Sequence, residues 1–146
     1  SPKQLRMPPE IVAELRTAGH KVSQTEDMAK GLHDNDTVYL TRIQEERFAS
    51  RLEADVYRGR FRLNQAIYTR HCQPNTVIMH PLPRDTRAEA NELDEDLNQH
   101  PNLAIFRQTD NGVLVRMALF ALVLDVVEKV PQHVRQAGWY TGRRFE

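Results

Sequence analysis

Hydrophobic positions fall into short clusters separated by polar, turn-rich segments, and the period of the clusters changes along the chain. Ile11, Val12, Leu15 and Ala18 share one side of a helix that Pro8 and Pro9 open and Gly19 ends. Residues 20–22 read as a short strand. Ser23 with Glu26 three places on forms a capping box for a short helix towards Ala29. Residues 37–40 are compact and rich in β-formers, follow Asp34, Asn35 and Asp36, and predict a buried parallel strand. A weakly patterned helix is expected over 48–57, a strand end at 61–63 and a helix over 65–70. After the Pro74, Asn75 turn, residues 76–79 form the second clear strand. Residues 85–101 are charged and amide-rich, which predicts irregular backbone with one helical turn and a solvated acidic loop over 91–96. Asp110, Asn111 and Gly112 are placed to cap a helix running to about Lys129 and stopping before Pro131. Helix and strand alternate throughout, so the class is α/β.

The first half of that last helix has almost no polar face: Val113, Leu114, Val115, Met117, Leu119, Phe120, Leu122, Val123 and Leu124 lie all round it. A helix apolar all round must be covered all round, and one domain of 146 residues has little with which to do so. Composition narrows the class without naming a function. Twenty Lys plus Arg balance twenty Asp plus Glu, so no global field favours nucleic acid or an anionic membrane. One cysteine, Cys72, excludes an internal disulfide framework and suits a reducing cytosol. The longest apolar stretch is too short to span a bilayer, and the opening Ser-Pro-Lys-Gln has no signal-peptide core. A soluble, cytoplasmic chain is therefore expected. The six histidines lack metal-ligand spacing, and His71 beside Cys72 reads as structural or exposed. No Walker loop and no Gly-x-Gly-x-x-Gly occurs, so neither a nucleotide nor another cofactor is expected.

Chemistry concentrates after the two strands, where ligands sit in open α/β sheets. The first strand continues as Thr41-Arg42-Ile43-Gln44-Glu45-Glu46-Arg47. Arg42 can present a planar fork to a carboxylate or phosphate. Gln44 offers a donor and an acceptor, and Glu46 can hold Arg42 if the segment turns helical. A solvated loop with ion pairs is the alternative. The second strand ends in His80-Pro81-Leu82-Pro83-Arg84. Two prolines stop ladder extension, and His80 and Leu82, each before a proline, are expected to be extended. The carbonyls of Pro81 and Leu82 then suit a ligand bearing amino hydrogens, or the segment is simply a rigid turn.

Together the two segments resemble the C-terminal half of the aspartate carbamoyltransferases. The resemblance rests on Val38-Tyr39-Leu40-Thr41-Arg42-Ile43-Gln44-Glu45-Glu46-Arg47-Phe48 and Val77-Ile78-Met79-His80-Pro81-Leu82-Pro83-Arg84. A third match, Phe106-Arg107-Gln108-Thr109-Asp110-Asn111-Gly112, leads into Arg116-Met117-Ala118-Leu119-Phe120-Ala121-Leu122-Val123-Leu124. Order and spacing agree over roughly residues 2–127. Ornithine carbamoyltransferases typically carry a cysteine where Pro81 stands and a Ser-Met-Gly loop. Neither occurs here, which favours aspartate.

The resemblance implies a three-layer α/β sandwich with a parallel, Rossmann-like sheet. It also implies transfer of the carbamoyl group of carbamoyl phosphate to L-aspartate in pyrimidine biosynthesis. It would place Arg42 on the aspartate side-chain carboxylate and Gln44 on the aspartate backbone groups. The carbonyls of Pro81 and Leu82 would take the amino hydrogens of carbamoyl phosphate, with Pro83 lining the site. Glu46 would orient Arg42, Arg47 would pair across the closing cleft, and His80 and Arg84 would support the loop. No general base and no cofactor is implied. The family's Ser-Thr-Arg-Thr phosphate loop is absent, as are the first strand and helix of the aspartate domain. The implied layout is a partial aspartate-binding domain over 1–111, a helix over 112–130 that packs on a carbamoyl-phosphate domain, and an extension over 131–146. That extension would bind a partner or lie strapped down. Such a chain would be a fragment, or one piece of a split enzyme, inactive alone. Homotrimers, with or without regulatory or dihydroorotase chains, are the family's assemblies. A non-catalytic binding or assembly subunit is the competing reading. Many bacterial relatives read Val-Asp-Glu after the arginine, whereas this chain has Asp85-Thr86-Arg87.

Overall fold

Two short strands set the frame. The computed structural model describes residues 1–87 and 89–133. In it β1 (Thr37–Tyr39) runs parallel to β2 (Val77–Met79), with Thr37 opposite Val77 and Tyr39 opposite Met79. Val77 donates to Asp36 O and Leu40 to Met79 O, each at 2.9 Å, so the ladder continues one step at both ends. On its other side Ile78 bridges Leu103, donating to Asn102 O and accepting from Ala104 N–H at 2.9 Å each. β2 is therefore central, and Ile78 is fully buried. β1 is parallel, as the pattern predicts, but it is not buried. Thr37 and Tyr39 are exposed and only Val38 reaches the core, because β1 has a strand on one side alone among the described residues.

The chain divides into two compact units, Ser1–Thr109 and Asp110 onward. The core of the first unit joins Leu32, Leu63, Tyr68, Ile78, Leu93, Leu97, Leu103 and Ile105. Helix α1 (Pro9–Thr17) starts and stops where the prolines and glycine place it. Gly19 adopts φ +88°, and His20 donates to Leu15 O while Gly19 donates to Arg16 O, a paired C-terminal cap that needs the left-handed residue. Residues 20–22 form no strand, since no ladder partner lies beside them. The capping box is also displaced. Glu26 accepts the Lys3 N–H at 2.8 Å, and Asp27 instead caps α2 (Met28–Leu32) through the Lys30 N–H. Ser50 caps α3 (Arg51–Asp55) and Asn64 caps α4 (Gln65–His71), so the helical reading of 48–57 shrinks to its capped turn. Tyr68 of α4 donates to Thr76 O at 2.8 Å and accepts from Asn102 Nδ2 at 2.8 Å, tying this helix to both sides of β2.

The acidic segment 91–96 is solvated only in part: Glu95 and Asp96 are exposed. Glu92, Leu93 and Asp94 are buried, and the Leu63–Leu93 bridge draws the segment onto the core. Its two buried charges are tolerated because each finds a partner, Glu92 the His80 Nε2 at 2.8 Å and Asp94 the Arg62 Nε–H at 2.7 Å.

The last long helix, α5 (Ile105–Val123), begins well before Asp110. Gln108 N–H already bonds Ala104 O, and Thr109 Oγ1 back-bonds to Ile105 O, so Asp110, Asn111 and Gly112 lie inside the helix rather than at its cap. The unit boundary falls within α5. In the second unit the helix ends in the same paired cap as α1, with Asp125 at φ +52°, Asp125 N–H on Leu122 O and Val126 N–H on Ala121 O. A 3-10 turn, Val127–His133, follows and contains Pro131, so the helix stops earlier than that proline predicts. Leu114, Met117, Phe120 and Leu122 are more than half exposed on it. The expected extension over 131–146 lies mostly outside the described residues.

Candidate functional site

Because Tyr39 and Met79 are in register, the two polar loops leave neighbouring strands at the same carboxyl end. The backbone of 45–47 winds into a 3-10 turn, which brings Glu46 back under Arg42. Arg42 Nη2 donates to Glu46 Oε1 at 2.8 Å and Nη1 to Glu46 Oε2 at 3.1 Å, a fork-to-fork pair about half exposed. Nη1 also reaches Ile43 O at 3.3 Å. The Nε–H and the outer Nη2–H have no acceptor among the described residues. They form the second, side-on edge of the guanidinium, which matches a carboxylate. The hydrogen bond to Glu46, reinforced by its charge, raises the Arg42 pKa, and the same pair lowers that of Glu46. Gln44 is partly buried beside Arg42 in the sequence, and Arg47 is exposed.

The proline loop is shaped from beneath. His80 is 1% exposed; its Nδ1 accepts the Leu82 N–H at 2.9 Å, and its Nε2 lies 2.8 Å from Glu92 Oε1. The His80 N–H is held by Gln108 Oε1, and Gln108 Nε2 donates to Tyr39 Oη at 2.9 Å. Leu82 is not extended, as a residue before proline is expected to be. It takes φ +52° and precedes a cis Leu82–Pro83 peptide, its N–H turned inward to His80. Pro81 and Pro83 are exposed, and no donor reaches the Pro81 or Leu82 carbonyl among the described residues. Arg84 is partly buried and donates to Asn98 Oδ1 at 2.9 Å.

Charges that the sequence reading did not single out join the loops. Arg87 Nη2 donates to Glu45 Oε1 at 2.9 Å and to Asp85 Oδ2 at 2.6 Å, while Arg58 Nε reaches Glu45 at 3.3 Å. The Arg58 and Arg87 bonds hold Glu45 below the usual carboxylate range. Arg87 does the same for Asp85, and both partners push Arg87 higher. Glu92 and Gln108 were also unassigned. Gln108 lies inside the Phe106-Arg107-Gln108-Thr109-Asp110-Asn111-Gly112 motif, whereas nothing local to Glu92 marks it as buried.

The sign of this bridge is testable. Depressed carboxylates contribute stability that is fully present above their unfolded pKa, about 4, and is lost as pH falls through the lower folded values. Thermal unfolding from pH 7 to 3 should therefore be nearly flat to about pH 4 and then decline. Arg87→Ala should decline less steeply. Equal slopes for the two proteins would show that the bridge carries no such linkage.

A parallel strand pair carrying a guanidinium edge and carbonyls without donors among the described residues at its carboxyl end defines an α/β ligand-binding domain. Comparison with known proteins specifies the kind. The model for the aspartate/ornithine carbamoyltransferase Asp/Orn binding domain matches residues 1–123, and the chain belongs to that family. The aspartate carbamoyltransferase catalytic subunit of Cellvibrio japonicus is 68% identical over 144 residues, covering 99% of this chain and 43% of that protein. The solved catalytic subunit of M. jannaschii aspartate transcarbamoylase superposes with a TM-score of 0.69 at 31% identity, covering 90% of this chain and 39% of that one. Trypanosoma cruzi aspartate transcarbamoylase in complex with N-(phosphonacetyl)-L-aspartic acid gives 0.67 at 29% identity, covering 82% and 37%. The chain spans less than half the length of the curated relatives it matches. Among the described residues no helix is long and apolar enough to cross a membrane.

Proposed function

We propose that this chain supplies the aspartate-binding part of an aspartate carbamoyltransferase. The amine nitrogen of L-aspartate bonds to the carbonyl carbon of carbamoyl phosphate, the bond from that carbon to the phosphate oxygen breaks, and phosphate leaves with the amine proton. The products are N-carbamoyl-L-aspartate and phosphate. The observation that carries the reading is that the Arg42 side-on edge and the Pro81 and Leu82 carbonyls, which take no donor among the described residues, lie at one end of β1 and β2. Arg42 holds the side-chain carboxylate of aspartate and Gln44 its backbone groups. Pro81, Leu82 and Pro83 line the carbamoyl-phosphate side, and the two carbonyls receive its amino hydrogens. Glu46 orients Arg42, Arg47 pairs across the cleft, and His80 and Arg84 support the proline loop. Positioning and charge neutralisation supply the catalysis.

In this reading residues 1–111 are the aspartate-binding portion, and 112–130 pack on a carbamoyl-phosphate domain. The exposed apolar side chains of α5 support that docking. Membership of the family supports a cytoplasmic homotrimer serving pyrimidine biosynthesis, with or without regulatory or dihydroorotase chains.

The test is a chimera in which this chain replaces the matching 144 residues of the Cellvibrio japonicus subunit. Formation of carbamoyl-aspartate from carbamoyl phosphate and L-aspartate, with no use of L-ornithine, is the expected result. Use of ornithine instead, or of neither amine by a folded chimera, would overturn it.

A further inference from the structure

We infer that Glu92 is a positioning residue for the carbamoyl-phosphate loop, acting through the tautomer of His80. The inference rests on the reading above that the Leu82 carbonyl meets that substrate.

Glu92 is 3% exposed and lies 12 residues beyond His80. Its Oε1 is the common acceptor for His80 Nε2 at 2.8 Å and the Asp85 N–H at 3.1 Å, with Oε2 at 3.3 Å from the same N–H. It therefore grips both ends of the 80–85 loop from below. The ring of His80 has two nitrogens and one geometry that satisfies both contacts. Nδ1 faces a backbone N–H, which can only donate, so Nδ1 is the acceptor. The proton then sits on Nε2 and is donated to Glu92. Each bond requires the other: a carboxylate on Nε2–H fixes the tautomer, and the fixed tautomer leaves Nδ1 open for Leu82.

The consequence falls on one peptide. Leu82 sits at φ +52°, a conformation a leucine rarely takes, and its only hydrogen bond to the protein among the described residues is the one to His80 Nδ1. Losing that acceptor leaves a left-handed residue without its restraint, and the carbonyl aimed at the ligand relaxes with it. Arg42 and Glu46 are held by each other and share no hydrogen bond with this pair among the described residues. The effect should therefore be selective between the two substrates.

Three variants of the chimera test this. Glu92→Ala should raise KM for carbamoyl phosphate on the order of tenfold or more, while KM for aspartate at saturating carbamoyl phosphate changes by no more than about twofold. Glu92→Gln keeps an oxygen where Oε1 receives both donors, so its carbamoyl-phosphate KM should stay within about threefold of the parent. His80→Gln keeps a donor for Glu92 but carries its amide oxygen one bond farther out than Nδ1, so no acceptor remains where Leu82 donates, and it should show the same selective rise. If Glu92→Ala does not accumulate as folded protein, His80→Gln decides. Equal rises for both substrates, no rise in either disruptive variant, or a glutamine variant as impaired as alanine would overturn the role. Failure of the underlying reading is separate: the parent chimera would itself not saturate with carbamoyl phosphate.

Discussion

Replacing Arg42 with alanine is expected to lower kcat/KM for L-aspartate in the chimera by about 3 kcal/mol, on the order of 100-fold. The size follows from geometry. A side-on guanidinium edge makes two parallel charge-assisted bonds to one carboxylate, and removing it leaves that carboxylate unpaired in a closing cleft. Arg42→Lys should recover little, because an ammonium is a point charge without a fork. Glu46→Gln should cost less than either, since the arginine keeps its charge and the amide oxygen keeps one of the two bonds. Steady-state kinetics with aspartate varied at saturating carbamoyl phosphate measures all three. Unchanged aspartate saturation and turnover in Arg42→Ala would remove this residue from the site.

The second large effect is on stability. Ile78→Ala should destabilise the folded chain by about 3 kcal/mol, measured by denaturant unfolding. Ile78 is fully buried at the centre of β2, between β1 and the Leu103 bridge. Its side chain is part of the core cluster, so truncation opens a cavity that fixed backbone on both sides cannot close. A loss below about 1 kcal/mol would mean the region collapses around the smaller residue, contrary to the packing described.

The strands that place the site were legible because their signals are local. Residues 37–40 and 76–79 are apolar, β-rich and bounded by turn residues, and their parallel pairing follows from the helices between them. Arg42, Gln44 and the prolines stand out as candidates for the same reason, since strand ends are where such sheets put chemistry. What was illegible depends on partners far along the chain. Residues 91–96 look like solvated loop text, yet Glu92 and Asp94 are buried against His80 and Arg62, and no short-range pattern announces that. Glu26 fits a capping box by spacing, but the Lys3 N–H takes its carboxylate. Asp110, Asn111 and Gly112 have the chemistry of a cap and sit within a helix that Ile105, packed in the core, starts earlier. Arg87 falls in a segment that departs from many relatives, so its bridge to Glu45 could not be carried over from them.

The parallel register also bears on how the site comes into being. A parallel pair cannot close through a tight turn, and here the contact between Thr76 and Asn35 spans 41 residues. Bringing such distant ends together costs about 3 kcal/mol of chain entropy before any burial offsets it. Neither the arginine loop nor the proline loop has a stable precursor of its own, because each is oriented by a strand three residues long. Recognition of substrate should thus emerge in a single kinetic phase with the closure of the sheet, at the slow rate that long-range pairing imposes. A chain released from the ribosome before residue 79 would carry Arg42 and Gln44 without the geometry of the proposed site.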